Sequence, residues 1–279
     1  MSVALFDYVT PSHQGSTWGL GGTCVNVGCI PKKLCHISAQ VKETTHMLKD
    51  YGWLMDQDPK YEHDWNTLRD NIQNHIKAIN FGYKSKMKEE GIDYVNSYAS
   101  FEDQNTIKFT YGKDNEEFKL KAKNFVIAAG NRPRDYPGIP ELAEHAVTSD
   151  DIFSLKEDPG KTLVIGGGYI ALECAGFLNG LGKDVTMINR STFLRVMDGD
   201  MAFRIVDDME ARGVKALTNT VPKSVKKLGD RHFEVELKSN DKISKIEVNT
   251  ILVAIGRDCS PEKLGLKNAG VEIGRSWKV

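Results

Sequence analysis

The chain lacks any apolar run approaching the roughly 20 uninterrupted residues that span a bilayer, so no membrane partner is expected. It also lacks a charge excess. Lys and Arg number 37 against 38 Asp and Glu, for a net charge of -1, and the basic residues are too dispersed for a phosphate-backbone binder, so no nucleic-acid partner is expected either. No basic-then-apolar leader precedes the first apolar run, Val3-Ala4-Leu5-Phe6. A cytoplasmic setting is therefore the expectation, with a mitochondrial one as the alternative. Internal repeats and low-complexity tracts are missing. Cysteine is scarce, with Cys24, Cys29, Cys35, Cys174 and Cys259 making an odd total of five. That argues against a secreted disulfide scaffold and leaves chemistry as the reason for a close pair. What is there is ordinary for a soluble globular protein: 40% hydrophobic and 27% charged residues over 279 positions, enough for two domains that each bury a core.

Along the chain, Val3 to Phe6 reads as a strand ending at Asp7, followed by a Pro, Ser and Gly-rich loop to Gly22. Apolar residues Leu34, Ile37, Val41 and Met47-Leu48 predict one helix, and Leu68, Ile72, Ile76 and Ile79 mark a second from Trp65 to Met87, closed by Gly91. Alternating segments from Tyr94 to Phe101, Thr106 to Tyr111 and Phe118 to Leu120 predict a small antiparallel sheet. Phe125 to Ala128 reads as a buried strand, and the segment to Pro140 as a linker. Next come an apolar strand from Thr162 to Ile165, the turn Gly166-Gly167-Gly168, a helix from Leu172 to Leu181 and a strand from Val185 to Ile188, a βαβ unit. A helix from Met201 to Gly213, strands near Val221 to Lys226 and Phe233 to Leu237, and an apolar strand from Thr250 to Ile255 complete the pattern. The lysines around Lys223 to Lys227 read as a solvated face, and the last twenty or so residues carry no closing element.

Two motifs carry chemistry. Gly21-Gly22-Thr23-Cys24-Val25-Asn26-Val27-Gly28-Cys29-Ile30-Pro31-Lys32-Lys33 sets two cysteines five positions apart, with small neighbours that allow close approach of a planar ring. A helix dipole and Lys32 favour thiolate there. A structural disulfide or half a zinc site are the alternatives, but no second pair stands at ligand spacing. In the second motif Gly166, Gly168 and Ala171 follow a strand and open a helix, the context a dinucleotide pyrophosphate needs. At the end of the next strand Asn189-Arg190-Ser191 and Arg195 stand where an NAD site carries an acid. Positive charge there selects the 2′-phosphate of NADPH.

The cysteine stretch resembles, nearly residue for residue, the redox-active segment of the class I pyridine nucleotide-disulfide oxidoreductases. Lys32-Lys33 after Pro31 is similar to the thioredoxin and glutathione reductases rather than the lipoamide branch. Trp18-Gly19-Leu20, with Ser191 after Arg190, is closest to the high-molecular-weight thioredoxin reductases. The resemblance implies a FAD-dependent, NADPH-dependent disulfide reductase. In it Cys24 attacks the substrate disulfide, Cys29 faces the flavin, Lys32 lies near the reactive flavin nitrogen and Glu173 pairs with Lys32. Tyr169 would cover the nicotinamide pocket, and Gly166, Gly168, Ile170, Gly256 and Arg257 would meet NADPH beside Arg190, Ser191 and Arg195. Asp7 resembles the acid that holds the adenosine ribose of FAD, with Gly22, Thr23, Gly28, Ala99, Ala129 and Gly130 as further flavin contacts; Ala129 stands where the family usually has Thr.

The implied fold is α/β: a partial FAD-binding Rossmann-like domain over 1–132, an inserted NADPH-binding Rossmann-like domain over 133–257, and a return towards the first domain over 258–279. No glycine loop precedes Asp7, and Gly274-Arg275-Ser276-Trp277-Lys278-Val279 departs from the family's continuation. The resemblance therefore covers the middle of such an enzyme, as though truncated at both ends. The implied partner is thioredoxin or a similar small disulfide, with a homodimer expected for the full-length family member. Glutathione reductase is one rival, and an inactive NADPH-binding fragment without flavin is the other.

Overall fold

The computed structural model describes residues 2–54, 61–112, 114–240, 242–259 and 261–274; the divergent tail 275–279 lies outside the described residues. Strand β1 (Val3–Phe6) leads through a long loop to helix α1 (Gly22–Val27), helix α2 (Cys29–His46) and helix α3 (Trp65–Glu89). Asp64 caps α3 by accepting from the backbone N–H groups of Asn66 and Thr67. Strand β2 (Ile92–Val95) then pairs in parallel with β1, which separates it from the hairpin that follows. That antiparallel sheet holds only β3 (Ala99–Phe101), β4 (Thr106–Tyr111) and β5 (Glu116–Lys121). The alternating run expected from Tyr94 to Phe101 is thus two strands in two sheets.

The expected strand from Phe125 to Ala128 does not form. Val126 is 93% exposed and the backbone pairs with no described neighbour. An apolar run becomes a strand only where a partner accepts its N–H and C=O groups, and none lies alongside. The expected linker is instead structured: β6 (Arg132–Pro133) is followed by α4 (Pro140–His145), with Pro at its start.

Beyond α4 run β7 (Val147–Thr148), β8 (Thr162–Ile165), α5 (Tyr169–Gly180), β9 (Val185–Ile188), α6 (Gly199–Ala211) and β10 (Lys215–Leu217). A meander of β11 (Thr220–Gly229), β12 (His232–Ser239) and β13 (Lys242–Val248) follows, and then β14 (Thr250–Val253) and β15 (Arg257–Asp258). The parallel sheet has the order β10-β9-β8-β14-β7. This is a mixed α/β, Rossmann-like architecture. Strands β8, β9 and β14 are buried at every position because both faces of the sheet are covered. Leu163, Ile165, Ile188, Ile251 and Val253 pack with Val235 and Leu237 of the meander. Val164, Val185, Met187 and Leu252 pack with α5, and beyond it with Cys35 and Ala39 of α2 and Trp65, Ile72 and Ile76 of α3.

The two halves therefore share a core, where the sequence predicts one for each. The chain crosses between them at β6 and at β15, and these two strands pair with each other in antiparallel register. The closing residues are not bare either. Two 3-10 turns, Pro261–Leu264 and Leu266–Ala269, bring Leu266 against Phe101 and Ile107 in a third, smaller core. No described helix is long and apolar enough to cross a membrane.

Candidate active site

The two sequence cysteines are joined. Cys24 and Cys29 form a disulfide with Cα atoms 4.6 Å apart, and both residues are exposed. Cys24 lies within α1, and Cys29 is the first residue of α2, five residues earlier than the helix expected from Leu34 after Pro31-Lys32-Lys33. Gly28 makes the closure feasible: a Cβ on it would fall 2.9 Å from Thr23 O and 3.1 Å from Cys24 Cα, so only glycine lets the backbone fold back this far. Gly22, at φ +69, starts α1, and its carbonyl accepts from Asn26 Nδ2 at 2.8 Å.

Helices α2 and α5 lie in direct contact and run in the same direction. Lys32 Nζ is 2.8 Å from Glu173 Oε1. Further along, a Cβ on Gly180 would sit 2.6 Å from Ala39 Cβ, and one on Gly182 would sit 3.2 Å from Lys42 Nζ. Contacts that advance together along both helices bring their N-termini to one end, so the disulfide at the start of α2 and the glycine turn at the start of α5 share that end. Cys35 and Cys174 are buried in the same contact, and burial pushes the Cys35 thiol up to about 12 and the Cys174 thiol up as well.

In the glycine turn, Gly166 has φ +142, and a Cβ there would lie 2.2 Å from Ala254 O, so the turn presses on the end of β14. A Cβ on Gly168 would meet nothing, which leaves room at the mouth of α5. Tyr169, first in α5, is 59% exposed, and Ile170 turns back against the shared core. The loop after β9 is stitched to this turn by Leu194 N–H to Gly167 O at 2.7 Å, while Asn189 Nδ2 donates to Thr192 O. On that loop Arg190 and Arg195 are exposed, with Ser191 half-buried between them, and neither guanidinium forms a hydrogen bond or ion pair with a described residue. An open glycine turn, a helix N-terminus and two uncompensated cations suit a dinucleotide carrying an extra phosphate.

The flavin-side residues are more scattered. Ala129 and Gly130 line a cavity of about 810 Å³ with Tyr8, Thr10, Tyr98 and Asp150, which lies within the ~300–1,000 Å³ common for ligand sites. Asp7 lines a separate cavity of about 310 Å³ with Trp18, Leu20 and Tyr94, and burial raises its pKa above the usual carboxylate value. Ala99 packs against the Phe101 core instead. The buried Asp150 Oδ2 has no hydrogen-bond partner. That oxygen is instead ion-paired with Arg132, and a cavity of this size with Tyr8 and Tyr98 in its wall fits an aromatic ligand. The residues lining these two cavities fit part of FAD.

Arg257 departs from expectation. Its side chain is 10% exposed and turned inward onto the fully buried Asp150, 2.9 Å away. The approaches of Arg132 and Arg257 lower the Asp150 pKa, but desolvation outweighs them and raises it overall. Arg132 Nε is 3.1 Å from Asp150 Oδ2, out of line for a hydrogen bond, and its guanidinium lies 4.6 Å from the centre of the Trp18 ring. Sequence reasoning passed over Asp150 and Arg132; the adjacent acids Asp150-Asp151 after a short strand were the available signal. Asp151 accepts from Ser12 Oγ and Thr148, holding the loop before α1 to the second half.

A family model described as pyridine nucleotide-disulphide oxidoreductase matches residues 2–279. Among curated proteins, the chain is 44% identical over 278 residues to "Thioredoxin reductase SEP1" of Emiliania huxleyi, covering 99% of this chain and 55% of that protein. The chain thus spans about half the length of this relative. With a disulfide beside a Rossmann-like glycine turn, and with the match running through nearly every residue, the chain belongs to the pyridine nucleotide-disulphide oxidoreductases.

Proposed function

We propose that this chain carries the redox pair and the NADPH site of a flavoprotein thioredoxin reductase. The observation that carries the reading is the parallel packing of α2 on α5, which sets the Cys24–Cys29 disulfide and the open glycine turn at one end, bridged by Lys32 and Glu173. The name of the Emiliania huxleyi relative supports thioredoxin as the substrate class. The exposed Arg190 and Arg195 support NADPH over NADH.

FAD, when bound, supplies the two-electron relay from NADPH to the disulfide. Gly22, Thr23, Gly28 and Lys32 would hold its ring end, with Asp7, Ala129 and Gly130 further along. Glu173 fixes the Lys32 ammonium in place, and Tyr169 shields the open mouth of α5 until a nicotinamide ring displaces it. Once the pair is reduced, the Cys24 thiolate attacks one sulfur of the substrate disulfide. A Cys24–substrate disulfide forms, and the other substrate sulfur leaves as a thiolate that takes up a proton. Cys29 then attacks Cys24 Sγ, restoring the Cys24–Cys29 bond and releasing the second substrate thiol. Small neighbours at both cysteines leave the exposed pair open to a protein-sized disulfide.

The test is an absorbance spectrum of the purified protein with and without NADPH. A flavin band that bleaches on NADPH addition and gains a long-wavelength charge-transfer shoulder is expected. A colourless protein that still binds NADPH would support the second reading, a nucleotide-binding unit without flavin.

A further inference from the structure

Arg257 stands where the chain re-enters the first half, on the strand that pairs with β6. A guanidinium has five N–H donors. Here Nε donates to Asn131 Oδ1 at 2.8 Å, one terminal nitrogen to Ser149 Oγ at 3.0 Å and Asp150 Oδ1 at 2.9 Å, and the other to Asn131 O at 2.9 Å and Thr23 Oγ1 at 3.4 Å. Every donor has a protein acceptor, so none is left for a cofactor phosphate. The acceptors come from three places: the outgoing crossing, the segment after β7, and the residue before Cys24. The buried Asp150 holds the fork from behind, with Arg132 on its other oxygen.

The start of α1 needs such a tether. The helix has six residues and no side-chain cap, and it is preceded by Gly21 at φ +129 and opened by Gly22 at φ +69. The other side-chain bonds at this end come from Asn26 to Gly22 O and from Asn80 to Leu20 O. We propose that Arg257 is a positioning residue for the redox pair: through Thr23 it fixes the start of α1, and with it Cys24, relative to Cys29 and the nucleotide-binding half. The inference rests on the reading of Cys24 and Cys29 as the working pair, and it moves Arg257 out of the cofactor contacts.

The test equilibrates the full chain in glutathione redox buffers and reads the Cys24–Cys29 disulfide by peptide mass spectrometry, for the unsubstituted protein, Thr23→Val, Arg257→Lys and the double variant. Lysine keeps the charge but cannot span Asn131, Asp150 and Thr23 together. Each single change should shift the equilibrium about tenfold towards the dithiol, about 30 mV in potential, with the double no further than the larger single. NADPH affinity of Arg257→Lys should stay within about twofold of the unsubstituted chain. Thr23→Val exchanges one half-buried hydroxyl for a methyl and so remains decisive even where the arginine variant misfolds. An unchanged equilibrium in Thr23→Val, or a double variant showing the product of the two singles, would overturn the proposal. So would a tenfold loss of NADPH affinity in Arg257→Lys with its redox equilibrium unmoved. Failure of the unsubstituted chain to bind NADPH would sink the proposed function alone, since the glutathione equilibrium reads the coupling without cofactor.

Discussion

Replacing Gly180 by Ala should force apart the helices that align the disulfide with the glycine turn. The added Cβ would sit 2.6 Å from Ala39 Cβ and 3.7 Å from Ala39 Cα, whereas carbon atoms rest about 3.5–4.0 Å apart. Both atoms are fixed to backbone, so no rotamer relieves the clash and the helices must separate by about 1 Å. Overpacking of this kind costs about 1–3 kcal/mol. Alanine in place of a helical glycine returns up to about 1 kcal/mol, leaving a net loss of about 2 kcal/mol at the upper end of that range, where a clash between two backbone-fixed carbons belongs. The urea midpoint should fall accordingly. Ala39→Gly in the same chain removes the opposing methyl and should recover most of the loss, although Ala39→Gly alone destabilises. A Gly180→Ala protein as stable as the parent, or a double variant no better than Gly180→Ala, would refute the close packing of α2 on α5.

Neutralising Arg190 and Arg195 together with Gln should weaken NADPH binding by about tenfold or more and leave NADH binding nearly unchanged, by titration of both nucleotides; equal losses would remove them from the 2′-phosphate site. Cys24→Ser should abolish reduction of a protein disulfide while NADPH still binds, and surviving turnover would overturn its role as the attacking thiol. The buried Cys35 thiol stays protonated up to about 12, whereas the unfolded chain releases that proton from about 8.5 upward. Its pKa is raised on folding, so its contribution is intact below about pH 8.5 and is lost as pH climbs towards 12; by pH 10 the loss reaches about 2 kcal/mol. Denaturation at pH 8 and pH 10 should therefore show a smaller alkaline loss for Cys35→Ala than for the unsubstituted chain, and identical losses would contradict the burial.

The parts of the fold written in local pattern were legible in the sequence. The βαβ unit around Gly166 and helices α2 and α3 stand where periodicity puts them, within a few residues. The Lys32–Glu173 pair, implied by family resemblance, forms across the α2–α5 contact. Partnership between segments was not legible. Phe125 to Ala128 has the composition of a strand but no neighbour, and β13, with mostly exposed positions such as Ile243, carries too little alternation to read as one. The shared core was hidden for the same reason, because an apolar stripe on α2 shows that something is buried and not which half buries it. The contact of Arg257 with the buried Asp150 was not legible either, because the two lie 107 residues apart and neither carries a local pattern that points to the other.

The pairing of β6 with β15 has a consequence for the order of events as the chain leaves the ribosome. Everything between the two crossings, with the parallel sheet and its meander, is synthesised before residue 258. The small core around Phe101 must wait for Leu266, and Asn268 Nδ2 reaches Phe101 O across 167 residues. Closing so long a loop is slow compared with the local contacts inside it. The nucleotide-binding half can therefore settle first and act as the template on which the older, N-terminal part of the chain, still open along its hairpin, is finished last.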